Sequence, residues 1–93
     1  MAIVFYPDGS YKKVKNLGWL LRNWKDVDRF KVIRGTASQA RLVAYMRDGR
    51  EFDTQFASKD VLWNFLKRPV FIGLHVNWFG QEHVISKGYS EPM

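Results

Sequence analysis

The sequence predicts an α+β fold: a small antiparallel sheet with two helices packed on one face, in the order ββ-α-βββ-α-β(β). Three observations carry this expectation. Short apolar-alternating segments recur between turn signals, two other segments have helical spacing, and 46% hydrophobic with 16% aromatic residues is enough to build a core. Ninety-three residues suit one domain, 1–93, with residues 86–93 expected to be a frayed polar tail.

The first unit reads as a hairpin, with Ile3 to Tyr6 and Tyr11 to Lys15 flanking Pro7-Asp8-Gly9-Ser10. Proline presets the turn, aspartate closes it and glycine supplies the positive φ. A four-residue loop would put Ile3, Phe5 and Val14 on one face and Val4, Tyr6, Tyr11, Lys13 and Lys15 on the other. A helix follows, with Asn16 as its N-cap and Leu17, Leu20, Leu21 and Trp24 as the apolar stripe, leaving Trp19 and Arg22 off it.

Three strands come next, at 28–34, 40–46 and 50–56. The connection Arg47-Asp48-Gly49 admits two registers. A three-residue loop with Gly49 left-handed groups Leu42, Ala44 and Met46 with Phe52, Thr54 and Phe56, and separates apolar from polar better than a two-residue loop does. The second helix is capped by Ser58, carries Asp60 in its first turn and Val61, Leu62, Phe65 and Leu66 as its buried stripe, and stops at Pro69. Residues 70–85 read as one or two strands turning near Phe79-Gly80-Gln81. The apolar segment Pro69-Val70-Phe71-Ile72-Gly73 is either a buried central strand or an exposed edge suited to homodimerisation.

Charge is lopsided. Residues 1–50 hold eleven basic and four acidic side chains, whereas residues 51–93 hold four and five, within a net of +6. A positive half directs attention to nucleic acid or an acidic protein surface. Without cysteine there is no disulfide or thiolate chemistry. No basic n-region precedes Ile3-Val4-Phe5, and no apolar run reaches the roughly 20 residues that span a bilayer. The expectation is a cytoplasmic protein without a membrane partner.

Chemistry-bearing motifs are sparse. His75 and His83 lack an evident nucleophile, Asp26, Asp28 and Asp48 lack calcium-loop spacing, and no glycine pattern cradles phosphate. The chain is therefore expected to be no enzyme and to need no metal or cofactor. Cations interleaved with rings suit single-stranded nucleic acid, where phosphates are neutralised and bases stack. The candidate contacts are Tyr11, Lys12, Lys13, Lys15, Trp19, Arg22, Arg29, Lys31, Arg34 and Arg41. The alternative is a protein-binding modulator, of the accessory type that phages and mobile elements encode. It would dock on an acidic host-protein surface through its basic face, with Trp19, Trp63 and Trp78 as anchors.

Overall fold

The computed structural model describes residues 2–86. It consists of β1 (Ala2–Phe5), β2 (Tyr11–Val14), α1 (Asn16–Arg22), β3 (Val27–Arg34), β4 (Ala40–Met46), β5 (Glu51–Phe56), α2 (Lys59–Leu66), β6 (His75–Trp78) and β7 (Gln81–Val84). Single 3-10 turns at Trp24–Asp26 and Pro69–Phe71 follow the two helices. Among the described residues the strands form one seven-stranded sheet in the order β2-β1-β5-β4-β3-β6-β7.

This corrects the expected architecture of a small antiparallel sheet with two helices packed on one face. The sheet is large and mixed, with 44% of the described residues in strands against 24% in helices, and β3 and β6 pair in parallel. The physical reason lies in the connections. Following the pairings across the sheet, β2, β5, β3 and β6 run in one direction, and β1, β4 and β7 run in the other. The segment containing α1 therefore joins two like-directed strands, β2 and β3, across three intervening ones. The segment containing α2 does the same from β5 to β6 across two. Local turn signals reveal hairpins, but nothing local marks a crossover.

Alternation along the strands gives the sheet a core side and an open side. Ala2, Val4, Phe52, Phe56, Leu42, Ala44, Phe30, Val32 and Val76 share one cluster with Leu20 of α1 and with Leu62, Trp63, Phe65 and Leu66 of α2. Phe71 of the second 3-10 turn completes the cluster, edge-on to Phe30 at 5.1 Å. Pro69–Gly73 is thus neither of the strands expected of it. Phe71 is buried while Val70 and Ile72 face outward, so this segment offers no strand edge to a second copy.

Both Asp-Gly hairpins close with the same device. Gly49 N–H donates to Met46 O at 3.1 Å and Met46 N–H to Arg50 O at 2.8 Å, around Gly49 at φ 93°. In the first hairpin Gly9 N–H donates to Tyr6 O at 3.0 Å and Tyr6 N–H to Ser10 O at 2.9 Å, around Gly9 at φ 90°. Asp8 accepts from the Ser10 amide and hydroxyl, and Asp48 from the Arg50 amide while facing its guanidinium. These bonds hold both carboxyls below the usual carboxylate range. The first hairpin thus has a three-residue loop, not four. Its register is Phe5↔Tyr11, Val4↔Lys12, Ile3↔Lys13 and Ala2↔Val14, which puts Ile3, Phe5, Tyr11 and Lys13 on one face and Val4 and Val14 on the other.

The helices differ from expectation at their ends. Lys15, not Asn16, is the N-cap of α1, and it makes no side-chain cap bond. The helix stops after seven residues, where the Asn23 amide group donates to Trp19 O at 2.8 Å. Trp24 then falls in the 3-10 turn, 37% exposed, and Trp19 packs on the core instead. Ser58 caps α2 by accepting from the Val61 amide, but Val61 itself faces water and Trp63 takes the buried position. Of the expected frayed tail, Ser86 is described and residues 87–93 lie outside the described residues.

Candidate nucleic-acid interface

The open side of the sheet carries no helix among the described residues, and registered pairs set its side chains in rows. One row runs Tyr11, Phe5, Glu51, Tyr45, Arg29, His75, Val84 across all seven strands. The next runs Lys13, Ile3, Asp53, Val43, Lys31, Asn77, Glu82. A shorter third row holds Gln55, Arg41 and Ile33.

Two aromatic groups stand in the first row. Phe5 and Tyr11 lean on each other with centroids 6.3 Å apart, and they are 38% and 64% exposed. Further along, the Arg29 guanidinium lies 4.1 Å from the centre of the Tyr45 ring, a cation–π contact that orients both groups. Four strand spacings of about 4.8 Å separate Tyr11 from Arg29, or about 19 Å of surface.

The charges on this face are not equally available. Arg41 donates through Nε and its terminal nitrogen to the two oxygens of Asp53, a bidentate pair that raises the arginine's pKa further above its ordinary value. Asn77 donates to Glu82 at 3.0 Å. Lys13, Arg29 and Lys31 are exposed and make no ion pair among the described residues. Ile3, Phe5, Gln39, Arg41, Asp53 and Gln55 rim a shallow depression of about 420 Å³ at one end of the face.

Five of the ten expected contacts meet on this surface: Tyr11, Lys13, Arg29, Lys31 and Arg41. The other five do not. Lys12 and Arg34 alternate to the opposite side, opposite Val4 and Ala40. Arg34 there borders a second depression of about 340 Å³ with Ser38, Lys59 and Phe79. Lys15 and Arg22 sit at the two ends of α1. Trp19 stacks flat on Phe52 at 5.6 Å and 3°, beneath the Arg50 guanidinium, so its ring is committed to packing.

Trp63 and Trp78, the other proposed protein anchors, are 3% and 4% exposed and meet edge-to-face at 5.1 Å. A ring that faces the core cannot insert into a partner. His75 and His83 lie on neighbouring strands but on opposite faces, because His83 is the register partner of the buried Val76.

Phe5, Tyr45 and Glu51 complete the surface and were not among the expected contacts. The signal for Phe5 was the repeated Asp-Gly turn, which fixes its register beside Tyr11. No helix among the described residues is long and apolar enough to cross a membrane, and no cluster of three or more metal-ligating side chains occurs among them. Comparison of the chain with protein-family models, curated proteins and solved structures returns no match.

Proposed function

We propose that the protein is a binding module for single-stranded nucleic acid, which lies across the open face of the sheet. The observation that carries this reading is that Tyr11, Phe5, Tyr45 and Arg29 share one row, with Lys13 and Lys31 in the adjacent row. Bases stack on Phe5, Tyr11 and the Arg29 plane, which already rests on Tyr45, and the cations neutralise phosphates. A surface about 19 Å long accommodates a few unstacked bases in succession. A duplex hides its base faces and gains nothing from such rings. The protein-docking alternative loses support because two of its tryptophan anchors are buried and the third is stacked in the structure.

Fluorescence anisotropy with labelled single-stranded and duplex oligonucleotides tests the proposal. Three available cations predict a slope of log K against log salt of about −2 for a single strand. Lys31→Ala lowers its magnitude by about 0.7. Tyr11→Ala weakens binding by about 1 kcal/mol, the lower end for stacking at an exposed site, and leaves the slope unchanged. Absence of binding at low salt, or equal affinity for duplex, would overturn the proposal.

A further inference from the structure

Resting on that reading, we infer that Glu51 gives the surface a preference for guanine. The registered rows of the open face hold three carboxylates, and two are already engaged: Asp53 by Arg41 and Glu82 by Asn77. The Glu51 side chain is exposed and has no hydrogen bond or ion pair among the described residues. Its position is specific. Glu51 is the register partner of Phe5 on one side and of Tyr45 on the other, so it stands between the two aromatic groups of the row.

Neighbouring side chains on paired strands are about 5 Å apart, so a base stacked on Phe5 brings its edge within reach of the carboxylate. A carboxylate only accepts hydrogen bonds. It therefore sorts bases by the donors that they present. Guanine offers two parallel donors on its pairing edge, the ring N1–H and the exocyclic amino group, which match both carboxylate oxygens. Cytosine and adenine each offer one amino group beside a ring acceptor. Thymine and uracil offer a single N–H flanked by two carbonyl oxygens that a carboxylate repels. A lone negative charge in a phosphate-binding face weakens binding to every sequence, and the guanine contact offsets that penalty for one base only.

The test compares two labelled oligonucleotides of about ten nucleotides, one of thymidine alone and one with guanosine at every third position. Each is titrated by anisotropy at low salt against the intact chain and against Glu51→Gln, whose exposed side chain leaves the fold in place. The intact chain is expected to favour the guanosine-containing strand by about five- to tenfold. Glu51→Gln should reduce that ratio to about twofold or less while its affinity for the thymidine strand holds or rises. Equal binding of both strands by the intact chain, or a ratio that survives in Glu51→Gln, overturns the role of Glu51 and leaves single-strand binding standing. If neither strand binds, the proposed function itself fails.

Discussion

Trp19 and Trp24 show how a single side chain is read by what it touches. Trp19 is part-buried, stacked face to face on Phe52 and covered by Arg50, which also pairs with Asp48 and lies 3.7 Å from Asp26. Trp24 is 37% exposed, with Lys25 over its ring at 5.6 Å. Trp19→Ala should therefore cost about 3 kcal/mol and Trp24→Ala about 1 kcal/mol or less. Urea denaturation of the two variants checks this, and equal losses would contradict it. The apolar spacing of Leu17, Leu20, Leu21 and Trp24 is genuine as a pattern, yet it assumes a helix that continues through Trp24. The helix ends at Arg22 because Asn23 turns its amide onto the Trp19 carbonyl. A seven-residue helix is too short for periodicity alone to decide which tryptophan faces the sheet.

At the scale of elements, the two Asp-Gly hairpins form a matched pair. Gly9 and Gly49 both have φ near 90°, a region that costs other residues about 1–2 kcal/mol. They differ in surroundings. A methyl group at Gly9 would meet nothing within 4 Å, whereas at Gly49 it would come 3.0 Å from the Pro7 ring of the neighbouring turn. Gly49→Ala is expected to destabilise more than Gly9→Ala, and thermal melts of both variants measure the difference. Equal shifts would mean that Pro7 yields freely. The register of the second hairpin was legible because only one choice separates Leu42, Ala44 and Met46 from Glu51, Asp53 and Gln55. In the first hairpin the mixed pattern of Tyr6, Tyr11 and Lys13 left the apolar faces unresolved, and the repeated turn chemistry was the better guide. That one-residue difference moves Phe5 beside Tyr11 and so decides half of the aromatic row.

Across the whole molecule, the strands are held unequally. β4 and β5 are each paired along both edges, whereas β7 is attached only through β6, and β6 meets β3 in a parallel ladder of four register pairs. Native-state hydrogen exchange should protect amides of β4 and β5 most and release those of β7 at a lower opening free energy. Uniform protection across the sheet would show that the β6–β7 hairpin opens only with the rest. Its place beside β3 could not be foreseen from the residues, because strands 28–34 and 75–78 are joined by no local turn and share no sequence signal. The open face suffered the same limit. Cations at Lys13, Arg29 and Lys31 were visible as a composition, but their convergence depends on β1 entering between β2 and β5.

The late return of the chain beyond α2 also bears on how the protein is made. Translation proceeds from the N-terminus, so β1 to β5 emerge from the ribosome before β6 does. During that interval the eight-residue β3, carrying Phe30 and Val32, is an unpaired sheet margin. It stays so until α2 brings β6 alongside. A nascent chain stalled there would expose an adhesive strand, and chaperone capture or misassociation between nascent copies would concentrate at that stage.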